Sequence, residues 1–154
     1  MSSFLYGPFA VILSSTTATD QQTPPGASDA ATPARPLVFI VDDDPDVLEL
    51  CDMLLERAGY DRELAGSGEE AVSLLEARVP NLIVLDLNMP GMDGWSVAAL
   101  VRKHAHTATI PILVMTALAQ NVENAARRAG ATAFVMKPLD AKRFVREVKR
   151  LCPV

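Results

Sequence analysis

The sequence predicts an α/β domain built on a parallel sheet of five strands with helices on both faces. Short continuous apolar runs such as Leu82–Leu85 are typical of strands that are buried on both sides. These runs alternate with segments whose apolar residues recur at helical spacing, which indicates strand–helix–strand units with right-handed crossovers. Four of the strands end on a polar residue or cluster. Because parallel strands end at the same edge, we expect those polar groups to converge in one crevice.

Composition limits the classes of protein to which the chain can belong. Its 154 residues, 49% of them apolar, suffice for one domain with its own core. A net charge of -5 argues against direct nucleic-acid binding, and no apolar run approaches the ~20 residues that cross a membrane. Cys51 and Cys152 lie in helical patterns without metal-ligand spacing. They are interpreted as reduced thiols, so we expect a cytoplasmic protein.

Residues 1–36 differ in composition from the rest of the chain. They contain five of the 11 prolines and only three charged residues. From residue 14 onward no apolar periodicity could bury a face, so we expect a disordered tail and a folded domain over residues 37–154. Residues 4–13 are apolar but lack a preceding Lys or Arg. A frayed extension is therefore favoured there over a targeting or docking segment.

The first strand and the first helix are predicted from residues 37–59. Leu37–Val41 is a continuous apolar run, and three aspartates follow it. Pro45 comes next, at a position that suits the first turn of a helix. Gly59 ends this helix, and its predicted buried face consists of Val47, Cys51, Leu54 and Ala58.

The next segments supply a weak strand, a helix and the central strand. Asp61–Ala65 is polar and is plausible as a strand only at a sheet edge. Ser67 and Glu70 form a capping box for a helix. Its predicted buried face includes Ala71, Leu74 and Leu75. Gly66 and Gly68 are assigned to a turn, since a third glycine is lacking. Leu82–Leu85 then ends on Asp86, at the point where a buried strand meets a loop.

The remaining segments continue the alternation. Trp95–Lys103 is predicted as a helix, Ile112–Met115 as a buried strand ending on Thr116, and Phe134–Met136 as a last strand ending on Lys137. A helix between the two strands buries Val122, Ala125, Ala126 and Ala129 and stops at Gly130. Asp140 caps a final helix. That helix is predicted to bury Ala141, Phe144, Val148 and Leu151 and to expose Lys142, Arg143, Arg146, Lys149 and Arg150.

The converging groups indicate phosphoryl chemistry with a divalent cation. At about 5 Å a pair of carboxylates repels by about 3 kcal/mol at an effective dielectric of 20, so Asp42, Asp43 and Asp86 need a cation or raised pKa values. An all-oxygen site of this kind suits Mg²⁺. The metal would leave one carboxylate free to attack phosphorus. Thr116 and Lys137 could then bind the phosphoryl oxygens.

These residues occur in motifs that resemble those of the receiver domain of bacterial response regulators, of the chemotaxis-type, single-domain kind. The motifs are VDDDP at 41–45, DLNMPGMDG at 86–94, MTA at 115–117 and FVMKP at 134–138. The resemblance extends over residues 37–152 and implies a flavodoxin-like doubly wound sheet of strand order 2-1-3-4-5 with five helices. It also implies a protein that is activated by phosphorylation within a two-component phosphorelay.

The resemblance implies a role for each acidic residue. Asp86 would accept the phosphoryl group from a sensor histidine kinase, a His-phosphotransfer protein or a small acyl phosphate. Mg²⁺ would be bound by Asp43, by Asp86 and by the backbone carbonyl of Asn88, with Asp42 contributing through water. Asp44 would occupy a position that is commonly acidic in the family but has a secondary role.

The resemblance also implies a switch. Thr116 would turn its hydroxyl toward the phosphoryl group, and Phe134, which lacks a tyrosine hydroxyl, would rotate inward. Lys137 would bind the phosphoryl group and precede Pro138 in a cis peptide bond. Leu118 lies two residues beyond the switch threonine, and we expect it to alter the lifetime of the phosphorylated state.

Two other functions compete with the signalling switch, which would catalyse only its own phosphorylation and dephosphorylation. One is a Mg²⁺-dependent aspartyl-phosphate phosphohydrolase, but such enzymes often place an acid where this chain has Asn88. The other is a mononucleotide binder of the same topology, which needs a Gly/Ser/Thr-rich loop instead of three aspartates after the first strand.

The route of output is predicted from the end of the sequence. Only Pro153 and Val154 follow the last predicted helix, so we expect output through a downstream effector protein or through phosphate relay. The basic outer face of that helix is a candidate contact, although a simple solvated face is the favoured interpretation.

Overall fold

A computed structural model of the chain describes residues 34–117 and 122–154. Residues 1–33 of the predicted tail, which spans residues 1–36, and Leu118 lie outside the described residues. In chain order the elements are β1 (Leu37–Val41), α1 (Pro45–Ala58), β2 (Asp61–Ala65), α2 (Gly68–Ala77), β3 (Leu82–Asp86), α3 (Gly94–Lys103), β4 (Ile112–Thr116), α4 (Val122–Arg128), β5 (Ala133–Met136) and α5 (Ala141–Leu151). The predicted alternation of five strands and five helices is confirmed.

The five strands form one parallel sheet in the order β2-β1-β3-β4-β5, as predicted. Its register aligns the strand ends that carry polar groups. Val41 at the end of β1 pairs with Leu85, and the residues that follow this pair on the two chains are Asp42 and Asp86. Asp86 pairs with Met115, and Thr116 pairs with Met136. The carboxyl edge of the sheet therefore gathers the ends of β1, β3, β4 and β5.

Both faces of the sheet are buried, which explains why its inner strands are continuously apolar. One core cluster lies beneath α1 and α5 and includes Val84, Cys51 and Phe144. The other lies beneath α2 and α3 and includes Leu85 and Val97. Consecutive strand residues alternate between the clusters, and a large apolar side chain contributes about 1.5–3 kcal/mol when fully buried. The two cores hold the strand ends in place.

Helix α1 packs its predicted face against the core and also buries Leu55, which the sequence prediction left out. Asp44 caps the helix, accepting a hydrogen bond from the backbone nitrogen of Asp46 at 2.9 Å, and Gly59 ends it with a φ of 92°. Leu55 is fully buried in the last turns, and the predicted Leu54 is half-buried and packs against the same core cluster. Adjacent leucines at this point fit either phase of a 3.6-residue repeat, so periodicity could not decide between them.

Strand β2 is the polar edge strand that the sequence predicts. Arg62 donates to Asp52 on α1 through Nε at 2.9 Å, and Arg78 after α2 pairs with Glu63. Leu64 stays 43% exposed. The strand is therefore held by its ladder with β1 and by side-chain pairs to the flanking helices, and its charged side chains suit a sheet edge.

Helix α5 is amphipathic as predicted, with one correction. Phe144 and Val148 are fully buried and Asp140 caps the helix. Ala141, predicted to be buried, is exposed because it lines an open groove between α1 and α5 together with Val145. Across the described ranges, none of the helices is long and apolar enough to cross a membrane.

Two polar contacts outside the sheet edge were not anticipated from the sequence. The hydroxyl of Tyr60, a side chain with no exposed surface, donates to the carbonyl of Cys152 at 2.6 Å and so joins the end of α1 to the end of α5. The guanidinium of Arg102 donates to the carbonyls of Ala108, Ile110 and Gly130 at 2.7–3.1 Å. It therefore connects the end of α3 to the turn after α4.

Candidate functional site

An acidic cluster lies at the carboxyl edge of the sheet. One carboxylate oxygen from each of Asp42, Asp43 and Asp86 lies within 4.8 Å of the other two. Asp42 follows β1 and has no exposed surface, and Asp86 ends β3 and is 3% exposed. Asp43 is exposed. The structure thus brings together two buried acids and one that faces solvent.

Lys137 supplies the positive charge of this cluster. Its Nζ lies 2.7 Å from Oδ2 of Asp42 and 3.5 Å from Oδ2 of Asp86. Oδ2 of Asp42 makes no hydrogen bond of regular geometry within the described residues, so its contact with Lys137 is an ion pair. The backbone nitrogen of Lys137 donates to the carbonyl of Thr116 at 2.9 Å. The bond from Lys137 to Pro138 is cis, as the resemblance implied.

Asp44 lies next to the cluster in sequence but serves a different purpose. Its backbone nitrogen donates to Oδ1 of Asp42 at 3.0 Å, which orients that buried carboxylate. Its own side chain caps α1 through Asp46. A third acid in this run therefore stabilises the first turn of the helix, where a negative charge is favourable.

The electrostatics of the cluster favour a cation. Burial raises the pKa of Asp86 above its ordinary value, with Lys137 opposing the shift and Asp42 adding to it. Burial would by itself lower the pKa of Lys137, but its contacts with Asp42 and Asp86 outweigh burial and raise it. One ammonium thus pairs with two of the three carboxylates, and the negative charge of the cluster is only partly offset.

The donor set suits Mg²⁺ in its chemistry. The three converging groups are all carboxylates, and hard divalent cations prefer oxygen ligands. Two of the acids are buried and one faces solvent, so a cation could be bound by protein oxygens while it keeps several waters. The residues present therefore fit the metal that the sequence predicts.

The loop between β3 and α3 follows Asp86 directly. The backbone nitrogen of Gly94 donates to the carbonyl of Leu87 at 3.2 Å, and a Cβ placed on Gly94 would lie 2.0 Å from the carbonyl oxygen of Asp86. Only glycine fits there. Met89 is buried, whereas Asn88 is exposed at the rim of the cluster. Helix α3 starts after Asp93, which accepts from the backbone nitrogen of Ser96 at 2.9 Å.

The two residues predicted to form a switch lie on neighbouring strands. Thr116 ends β4 and is buried. Phe134 on β5 pairs with Val114, the second residue before Thr116, and its half-buried ring packs against the core cluster beneath α2 and α3. A half-buried aromatic ring beside the threonine strand has both a packed and a solvent-facing side.

Sequence reasoning missed one side chain that bears on the loop. Oε1 of Glu69, in the first turn of α2, accepts a hydrogen bond from the backbone nitrogen of Met92 at 3.1 Å. Gly68 was assigned to a turn, but it is the first residue of α2, where a Cβ would lie 2.4 Å from the carbonyl oxygen of Met92. The capping pattern indicated that α2 begins here, yet nothing in it indicated which loop the helix would contact.

Comparison with known proteins identifies one family. The family model of the response regulator receiver domain matches residues 38–149. A 14.6 kDa protein encoded in the sodA1 3′ region of Leptolyngbya boryana is 37% identical over 116 residues, which are 75% of this chain and 88% of that protein. The DNA-binding dual master transcriptional regulator RpaA of Synechocystis is 37% identical over 117 residues, which are 75% of this chain but 48% of RpaA. The chain thus spans about half the length of that relative.

A solved structure agrees with these sequence matches. Response regulator protein TrrA from Thermotoga maritima, in complex with Mg²⁺ and beryllofluoride, has a TM-score of 0.67 and 30% identity. The match covers 75% of this chain and 98% of TrrA.

Proposed function

Because this chain belongs to the response regulator receiver domain family, we propose that Asp86 is the residue through which it is phosphorylated. The family is a signalling family, and the chain is a phosphorylation-activated response regulator of a two-component system. The observation that carries the assignment of Asp86 is its position. It ends the central strand, and its carboxylate belongs to the acidic cluster and lies 3.5 Å from the ammonium of Lys137.

In the proposed reaction a carboxylate oxygen of Asp86 attacks phosphorus. A phosphorus–oxygen bond to Asp86 forms while the bond from phosphorus to the donor breaks, and the donor leaves with the electron pair. The donor is a phosphohistidine of a kinase or phosphotransfer protein, or an acyl phosphate. The loop that begins at Leu87 and the buried neighbours of Asp86 hold the nucleophile in place, which lowers the entropic cost of the reaction.

Mg²⁺, when bound by Asp43, Asp86 and the carbonyl of Asn88 with Asp42 acting through water, would neutralise charge on the transferring group. Lys137 would move from its carboxylate partners to a phosphoryl oxygen, because phosphorylation places new anionic oxygens beside it. The cluster of three carboxylates and the magnesium complex of TrrA support this metal.

We propose that the signal leaves the site through Thr116 and Phe134. The hydroxyl of Thr116 would turn to a phosphoryl oxygen, and the vacated space would let the half-buried ring of Phe134 rotate inward. Movement of that ring would change the surface around β5 and α5. A downstream effector protein of unknown identity would recognise the changed surface.

The partners and location follow from the same assignment. The phosphoryl donor would be a sensor histidine kinase or a His-phosphotransfer protein, and direct nucleic-acid contact is not expected of these residues because the chain is acidic. RpaA is named as DNA-binding, but the match covers only 48% of its length. Cys51 and Cys152 are free thiols, which supports action in the reducing cytoplasm.

The test is treatment with acetyl phosphate and Mg²⁺, followed by intact-mass measurement. The wild type should gain the mass of one phosphoryl group, and Asp86→Asn should gain none. Omission of Mg²⁺ should abolish the gain in the wild type. A mass gain in Asp86→Asn would move the acceptor to another residue.

A second assay separates the switch from the phosphohydrolase alternative, which family membership does not favour. We expect no enzymatic turnover beyond the protein's own phosphorylation and dephosphorylation. Wild-type protein incubated with simple phosphate esters should therefore release no more phosphate than the Asp86→Asn variant does. Multiple turnovers by the wild type alone would support the enzyme.

A further inference from the structure

We propose that Glu69 is a positioning residue for the cation: it holds the loop between β3 and α3 in the shape that presents the carbonyl of Asn88 to Mg²⁺. This inference rests on the proposed function. Glu69 belongs to α2, but its Oε1 accepts a hydrogen bond from the backbone nitrogen of Met92 at 3.1 Å. It thus acts on the loop from α2, and it is not one of the three acids that the described residues bring together in the cluster.

Close backbone packing brings this loop against the first turn of α2. A Cβ on Gly68 would lie 2.4 Å from the carbonyl oxygen of Met92. Gly91 has a φ of +73°, and a Cβ there would lie 3.2 Å from Oε1 of Glu69. The approach of α2 to the loop requires glycine at position 68, and the positive φ favours glycine at position 91, so the Glu69 carboxylate meets the loop where the two backbones are closely packed.

The two ends of the loop are fixed by other contacts. Asp86 lies in the sheet, Gly94 is bonded to Leu87, and Asp93 caps α3. The bond from Met92 to Glu69 adds a third fixed point, four residues after Asn88 and next to Asp93. A hydrogen bond from a backbone amide to a charged carboxylate is stronger than one to a neutral acceptor, which suits a glutamate at this position.

The neighbouring residue provides a matched control. Glu70 lies in the same turn of α2 and carries the same charge, but its Oε2 accepts from the backbone nitrogen of Gly66 at 2.7 Å. The backbone nitrogen of Glu70 also donates to the hydroxyl of Ser67, so both contacts belong to the start of α2. Removing Glu70 therefore changes the charge and the start of α2 without removing the bond to the loop.

The experiment measures Mg²⁺ affinity without any phosphoryl donor. Backbone amide NMR shifts are followed during Mg²⁺ titration of wild type, Glu69→Ala, Glu69→Gln and Glu70→Ala, and amide exchange of Met92 is measured in each. We expect Glu69→Ala to raise the Kd for Mg²⁺ by about 3- to 10-fold and to speed exchange at Met92, in keeping with the loss of one such hydrogen bond. Glu69→Gln should restore most of the affinity, and Glu70→Ala should keep it.

Two results would overturn the proposal. Faster exchange at Met92 in Glu69→Ala with an unchanged Kd would show that the bond does not position the metal ligand. Equal weakening by Glu69→Ala and Glu70→Ala would assign the effect to charge or to the helix start. Failure of the proposed function is distinct, since wild-type protein would then bind no Mg²⁺ or gain no phosphoryl mass.

Discussion

Nζ of Lys137 lies 2.7 Å from Oδ2 of Asp42, a carboxylate with no exposed surface. This pair balances the deepest charge of the site before any cation arrives. Removing one partner of a buried ion pair leaves the other charge uncompensated. The loss of folding stability is then far larger than when an exposed pair is broken. The site should therefore contribute to stability as well as to chemistry.

Lys137→Met is expected to lower the free energy of unfolding by about 1–3 kcal/mol in metal-free protein, because Asp42 loses its partner. Denaturant unfolding measures this change. Adding Asp42→Asn to Lys137→Met should recover part of the loss, since the buried charge is then gone. No recovery in the double variant would assign the loss to packing of the lysine chain.

Asp86→Asn is expected to raise the free energy of unfolding of metal-free protein by about 1–2 kcal/mol, because it removes a buried like charge from the cluster. Mg²⁺ should stabilise the wild type through binding to the folded state but have a smaller effect on Asp86→Asn. Thermal unfolding with and without Mg²⁺ tests both points. Equal stabilisation by Mg²⁺ would place the cation elsewhere.

Tyr60→Phe is expected to lower the free energy of unfolding by about 1–2 kcal/mol, because the carbonyl of Cys152 loses its buried donor. Burial, with a smaller contribution from the Cys152 thiol, raises the pKa of Tyr60 from 10.0 to about 12. Since the folded state holds the proton more tightly, this contribution is complete below pH 10 and is lost as the pH rises toward 12. The difference between wild type and Tyr60→Phe in urea unfolding should therefore shrink above pH 10. A difference independent of pH would contradict it.

Arg102→Lys is expected to lower the free energy of unfolding by about 1–3 kcal/mol, since an ammonium cannot reproduce the planar fork that serves three carbonyls. Both residues keep one positive charge, so the change isolates geometry. Lys103→Ala, at the neighbouring exposed position, is the control and should change stability little. Amide exchange in residues 108–110 should rise only in Arg102→Lys.

The part of the fold that the sequence predicts is the part set by local pattern. The apolar run Leu82–Leu85 predicts a strand that ends on Asp86, and β3 has these bounds in the structure. A run without polar side chains suits a strand that is covered on both faces. The position of Asp86 at the sheet edge follows from parallel topology alone. Its neighbours Asp42 and Lys137 follow by the same reasoning, since their strands run in the same direction.

Features that depend on contacts between segments could not be predicted. The deeper burial of Leu55 than of Leu54 depends on the rotation of α1 against the sheet and α5, which periodicity leaves open. The exposure of Ala141 depends on the groove between those helices. The bond from Met92 to Glu69 joins two residues whose separate patterns indicate only a turn and a helix start. Such pairings are decided by packing after the elements have formed.

The pairing of Lys137 with Asp42 has a consequence for assembly. Asp42 follows the first strand of the chain and Lys137 follows the last, so the acid at the centre acquires its counter-charge only when the final strand docks. A growing polypeptide that ends before β5 would lack the ammonium that pairs with Asp42. The charge balance at Asp42 therefore depends on the docking of β5.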